Sequence, residues 1–196
     1  MEIEAILWDF GDTLVDETWM LAPLEGVPRW PETYRGLLGN NALAQQWNVG
    51  AITSVGVARS FGRELGVEPE RLLKHMQWCS RNIAFYPRMK AVTAQRRYPQ
   101  AIVTVNPDIF SDVVVPHYRL DESFDAIVTS WQERSASKPD LCDAAIARLG
   151  GKWTRDRCLL VDNRQDCAEQ WIARGGRAYQ FRGEDRFFAD LGALFV

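Results

Sequence analysis

The chain has 196 residues, which suits one domain, or one core carrying a modest insertion. Apolar residues make up 46% and charged residues 25%, ordinary globular values that exclude disordered and fibrous classes. With 23 basic against 26 acidic residues the formal net charge is -3, and there is no basic run, so nucleic acid is not an expected partner.

The opening Met1-Glu2-Ile3-Glu4 carries no basic segment. The apolar run at residues 5–8 is too short for a signal peptide or a membrane span. Cys79, Cys142, Cys158 and Cys167 lie far apart, with no C-x-x-C pair and no disulfide-rich framework. They read as reduced thiols, so a cytoplasmic protein without membrane contact is expected.

Residues 3–8 form an apolar run that reads as a buried strand and stops abruptly at Asp9-Phe10-Gly11-Asp12-Thr13-Leu14. Residues 16–40 hold Pro23, Pro28 and Pro31 and should be irregular, with short helical turns at most. Residues 51–65 show helical spacing. A second helix is signalled by Glu68-Pro69-Glu70, with Leu72, Met76, Cys79 and Ile83 on one face. Tyr86-Pro87 should break that pattern.

After it the rhythm alternates. A helix at 89–98 precedes a strand at 101–105, and a strand at 124–129 precedes a helix at 140–149 ended by Gly150-Gly151. A strand at 158–161 precedes a helix at 166–174 ended by Gly175-Gly176, and a last strand spans 178–181. Alternation of this kind predicts an α/β fold, a Rossmann-like parallel sheet covered on both faces. Ligands of such sheets bind at the carboxyl ends of the strands.

The residues at those ends are Asp9, then Thr104 to Asn106, Ser130, Lys138, and Asp162 with Asp166. A single aspartate after a strand usually caps a helix or shapes a turn. Jointly the set says more. Asp9, Asp162 and Asp166 should converge, and converging carboxylates repel unless a cation neutralises them. Hard oxygen ligands suit Mg²⁺, and Lys138 adds a second positive charge.

The ordered set Asp9-Phe10-Gly11-Asp12-Thr13-Leu14, Thr104/Asn106, Lys138-Pro139 and Val161-Asp162-Asn163-Arg164-Gln165-Asp166 resembles the four motifs of the haloacid dehalogenase (HAD) superfamily. The resemblance implies a core from residues 1–15 and 87–196, with a helical cap from residues 16–86. It implies a hydrolase, a phosphatase of a small phosphorylated metabolite in first place. Asp9 would be the nucleophile, forming an aspartyl-phosphate, and Lys138 would balance its charge. Thr104 or Asn106 would bind phosphate oxygens. Mg²⁺ would be held by Asp9, the Gly11 carbonyl and Asp162, with Asp166 a direct or water-mediated ligand.

Two positions depart from the superfamily's pattern. Its phosphatases usually place a second aspartate, the general acid and base, two residues after the nucleophile. Here Gly11 stands there, and the side chain of Asp12 should leave the loop in another direction. In the second motif Val105 separates Thr104 from Asn106, where a hydroxyl residue usually comes directly before the asparagine-like position. Gly11 suits a 2-haloacid dehalogenase-type reaction, which needs no second aspartate, whereas the Asp162 and Asp166 pair does not. Gly11 and Val105 together suit a catalytically impaired ligand-binding protein. His75 and His117 read as surface or packing residues. Trp19, Trp30, Trp47 and Trp78 are candidates to line a substrate pocket, set against packing.

Overall fold

The computed structural model describes residues 2–38 and 42–194. Five short strands make one sheet: β1 (Ala5–Trp8), β2 (Gln100–Thr104), β3 (Ala126–Thr129), β4 (Cys158–Asp162) and β5 (Arg177–Gln180). Their order is β3-β2-β1-β4-β5, and every pairing is parallel. The chain winds outward from β1 to β3, then returns to the other side of β1 for β4. The crevice between β1 and β4 is therefore the topological switch point, where open parallel sheets bind ligands.

Strand alternation sorts the core into two faces. Ile6 and Trp8 point to one face with Ile102, Val161, Phe110 and Phe187. Ala5 and Leu7 point to the other with Ala101, Val103 and Leu160. That second face is covered by α6 (Lys138–Arg148) and α7 (Gln165–Ala173), which contribute Leu141, Cys142, Ala145 and Trp171.

Between β1 and β2 the chain forms a 3₁₀ turn at Glu17–Leu21 and then α1 (Trp30–Leu38), α2 (Ala42–Asn48), α3 (Ser54–Leu65), α4 (Pro69–Ser80) and α5 (Pro87–Ala94). The first four of these helices build a cluster of their own around Trp30, Phe61, Leu72 and Met76, joined by Ile109 and Val113 from the segment after β2. A last helix, α8 (Glu184–Leu191), follows β5. Among the described residues no helix is long and apolar enough to cross a membrane.

Most element expectations hold within one to three residues, and at three helices the difference involves a proline. Residues 16–40 are more ordered than expected, because Pro31 sits in the first turn of α1, where its missing N–H costs nothing. Residues 39–40 of that stretch lie outside the described residues. Pro87 opens α5 two residues before its expected start, α5 ends at Ala94 and not at residue 98, and the helix before it has already ended at Ser80, short of Ile83. Pro139 likewise lets α6 begin at Lys138, two residues before the expected start. α8 and α2 were not expected at all.

The helical segment is tied to the sheet by buried polar contacts. The Asp108 carboxylate, just beyond β2, accepts from the Ser54 backbone N–H at 2.8 Å, the Ser54 hydroxyl at 2.5 Å and the Trp47 indole at 3.0 Å. Asp108 thus holds the start of α3 and the end of α2 over the carboxyl edge of the sheet. Asp108→Ala should leave the two Ser54 donors unpaired, the Trp47 indole keeping only the Ser54 hydroxyl at 3.2 Å, and cost about 2–4 kcal/mol. Urea unfolding of wild type and variant measures it; a loss under about 1 kcal/mol would show that the tie contributes little.

Candidate functional site

The register of β1 against β4 places Trp8 opposite Val161, and the next residues are Asp9 and Asp162. The Asp9 backbone N–H donates to the Val161 carbonyl at 2.9 Å, so the pairing continues one residue past the strand. Two carboxylates consequently stand side by side at the switch point. Asp162 is the last residue of β4 itself and is fully buried; Asp9 is 7% exposed.

Lys138 fills the gap between them. Its Nζ lies 2.8 Å from Asp9 Oδ1 and 2.9 Å from Asp162 Oδ2, and it donates to the Val103 carbonyl at 3.0 Å. Lys138 is the first residue of α6, so the helix start aims the side chain under the sheet's edge. Burial pulls the lysine's pKa down, but the charges of Asp9 and then Asp162 outweigh it, and the net shift is upward. Burial pushes the Asp9 carboxyl up; Lys138 opposes this and Asp162 reinforces it. The net direction for Asp9 is upward, because one ammonium between two buried carboxylates leaves one negative charge uncompensated.

The fourth loop is stitched to the first. Asn163 N–H donates to the Thr13 hydroxyl at 3.1 Å, and Arg164 N–H donates to Asp162 Oδ1 at 2.8 Å. Asp162 Oδ2 is buried with no hydrogen-bond donor aligned on it, although Lys138 stands close. In the second motif the Asn106 amide donates to the Thr104 hydroxyl at 2.7 Å, so both residues reach the same place despite the intervening Val105.

A polar cavity of about 260 Å³ opens over these groups. Asp9, Gly11, Lys138, Thr104 and Asn106 line it, as does Val105. Asp162, fully buried against Lys138, is not among the lining residues. Asp166, the third expected carboxylate, does not join them. It is more than half exposed and is gripped by its neighbour Arg164, with Nε–Oδ1 at 3.0 Å and Nη2–Oδ2 at 2.5 Å, which holds its pKa down. Among the described residues no group of three or more His, Cys, Asp or Glu side chains is placed to hold a metal by itself.

Sequence reasoning missed five further residues of the cavity: Glu17, Asn48, Asn163, Arg164 and Cys167. Asn163 and Arg164 were visible inside the fourth motif but passed over. Glu17 and Asn48 had no motif to mark them. Glu17 is an exposed residue whose carboxyl end reaches Gly11. The protein crowding this carboxyl group, then the charges of Asp9 and Asp12, push it up to about 7. Solvent on its open side screens those charges. Asp12 turns away from the cavity, as expected, and its Oδ1 accepts from Glu17 N–H at 3.0 Å. None of Trp19, Trp30, Trp47 and Trp78 lines the cavity: Trp30 and Trp47 are core, while Trp78 is exposed beside Trp19 at a separate surface depression. His75 packs between Trp30 and Trp78 and reaches the Ala22 carbonyl at 3.0 Å.

No protein-family model and no curated protein matches the sequence. Solved structures do. A predicted HAD-like family hydrolase from Porphyromonas gingivalis superposes with a TM-score of 0.76 at 17% identity, over 99% of this chain and 98% of that one. A HAD family enzyme from Bacteroides thetaiotaomicron, in complex with magnesium and inorganic phosphate, gives 0.71 at 14% identity over 99% and 100%. The L-2-haloacid dehalogenase from Xanthobacter autotrophicus gives 0.69 at 21% identity over 97% and 82%. The fold of this chain is the α/β fold of the HAD-like hydrolases.

Lys138→Met removes the cation that contacts both buried carboxylates and should raise the Asp9 pKa further. A carboxyl with a raised folded-state pKa binds its proton more tightly folded than unfolded. The stability it contributes is present below its ordinary value of 3.8 and is lost as pH rises through the folded value. The variant should therefore lose about 3–5 kcal/mol near pH 7 and distinctly less near about pH 5. Urea unfolding at both values checks this; an equal loss at both would contradict it.

Proposed function

We propose that this protein is a Mg²⁺-dependent hydrolase of a small phosphorylated metabolite, acting through an aspartyl-phosphate on Asp9. The observation that carries the reading is the buried Asp9–Lys138–Asp162 row at the floor of a polar cavity. Asp9 presents Oδ1 to Lys138, which leaves its second oxygen to attack phosphorus. Lys138 keeps Asp9 ionised and offsets charge that develops on the transferring group. Thr104 and Asn106, already joined to each other, offer a hydroxyl and an amide to phosphate oxygens.

The residues fit a magnesium ion. Asp162 Oδ2 is buried without an aligned donor, and the row carries more negative than positive charge. Mg²⁺ is commonly held by one or two carboxylates, waters and substrate phosphates, so three protein carboxylates are not required. Asp9, the Gly11 carbonyl and Asp162 would hold it. Asp166 would contribute only after releasing Arg164, or through water. The ion would supply charge neutralisation at the phosphoryl oxygens.

On this reading residues 16–86 act as a cap. Their own hydrophobic cluster and the placement of Glu17 and Asn48 in the cavity wall support that role. A cytoplasmic location agrees with four cysteines that are all free and buried. A second reading, dehalogenation of a 2-halo acid, is favoured by Gly11 and by the likeness to a haloacid dehalogenase.

Turnover of phosphate esters and 2-halo acids, each with Mg²⁺ and with chelator, separates the two. We expect phosphate release that chelator abolishes; chloride release indifferent to chelator would install the second reading. Asp9→Asn should reduce turnover by about 10³-fold or more. Asp162→Asn should weaken Mg²⁺ binding by at least about tenfold in calorimetry, and unchanged affinity would refute its place in the metal site.

A further inference from the structure

We propose that Glu17 is the catalytic acid and base of this site, brought in from the segment after the first loop to fill the space that Gly11 leaves open. The inference rests on the reading of the site as a phosphate-ester hydrolase acting through Asp9.

Gly11 is not required by its backbone, since its φ lies outside the left-handed region where only glycine is at ease. What stands where a side chain would project is the Glu17 carboxyl group. A Cβ on Gly11 would lie 2.8 Å from Glu17 Cδ, 3.0 Å from Oε1 and 3.2 Å from Oε2. The carboxylate missing two residues after Asp9 is thus matched by another carboxylate in the same volume.

The loop is built to deliver it. Asp12, not glycine, takes the left-handed conformation at φ 48, and its Oδ1 accepts from the Glu17 backbone N–H. Asp16 accepts from Thr18 N–H at 2.8 Å and starts the 3₁₀ turn on which Glu17 is the first residue. These two contacts fix where Glu17 leaves the chain. Its carboxylate has no structural duty: among the described residues it forms no hydrogen bond and no ion pair. It lines the same cavity as Asp9, Lys138, Thr104 and Asn106.

The chemistry balances with one proton. As Asp9 attacks phosphorus and the bond to the leaving oxygen breaks, protonated Glu17 gives its proton to that oxygen, and an alcohol departs. The Glu17 carboxylate then takes a proton from a water as its oxygen attacks phosphorus. The Asp9–phosphorus link breaks, inorganic phosphate leaves and Glu17 is protonated again.

Glu17→Gln keeps the size and the backbone contact but cannot exchange that proton. The test compares it with wild type on 4-nitrophenyl phosphate, whose leaving group needs little protonation, and on glycerol phosphate, whose leaving group needs much, both with Mg²⁺. We expect kcat/KM on glycerol phosphate to fall about 10²–10⁴-fold and on the aryl ester less than about tenfold. With the water-activating base gone, the variant should also release a burst of nitrophenolate equal to the enzyme present. Mg²⁺ affinity, measured by calorimetry on the same preparations, should be unchanged and reports that the variant is folded. Equal losses on both esters, no loss on either, or lost Mg²⁺ binding would overturn the role of Glu17 and leave the hydrolase reading standing. A wild type that cleaves neither ester overturns both.

Discussion

The ammonium of Lys138 sits between Asp9 and Asp162 and against the Val103 carbonyl, and the rest of the site is arranged around it. Those three partners belong to or directly follow β1, β4 and β2, and Lys138 itself opens α6. One side chain therefore joins three neighbouring strands and a helix at their shared end. A buried row of this kind adds little net stability, since desolvating the charges costs much of what their attraction returns. Its effect is positional. The row holds one oxygen of Asp9 and leaves the other facing the cavity, with a lysine behind it that cannot be moved without stranding two carboxylates.

Around that floor the protein assembles the walls from separate segments, and in each case a polar contact sets the position. Thr13 joins the first loop to the fourth through Asn163 N–H. Asp108 holds the start of α3, and the Ser130 hydroxyl donates to the Asn48 carbonyl at 2.7 Å at the end of α2. Arg134 reaches the Gly50 carbonyl beside it. The Asp108, Ser130 and Arg134 ties lie on the β2–β3 side of the cavity, while the Thr13 tie spans β1 and β4. The other rim carries Glu17 and Arg164, whose side chains are exposed to water.

The sheet was legible because buried parallel strands are short apolar runs, and residues 3–8, 101–105 and 158–161 can be little else. The strand ends then pointed to Asp9, Lys138 and Asp162, which the register brings together. Asp166 stands apart from them because a motif gives spacing and not direction: it lies on the first turn of α7, paired with Arg164. Helix α1 was obscured by Pro31, which reads as a breaker yet is compatible with a first helical turn. Glu17 was illegible for a different reason. It comes eight residues after Asp9 on a 3₁₀ turn, and no period links the two positions. What the sequence did display was its counterpart, a glycine at 11 followed by an acidic residue at 12.

That pair explains how the loop can depart from the usual order and still close. A left-handed residue is needed to turn the chain after β1, and aspartate accepts that conformation better than most side chains do. With Asp12 in the turn, its carboxylate faces the outside of the loop and accepts a backbone N–H instead of reaching the cavity. The space vacated at Gly11 cannot remain a void beside two buried charges without either water or another polar group, since protein interiors leave few gaps of that size unfilled. Glu17 fills it. The exchange moves a carboxylate from a rigid strand end to a flexible side chain at the rim. Its distance from Asp9 then depends on how the segment after the loop sits over the sheet, so under the role proposed for Glu17 the helical segment would set proton transfer.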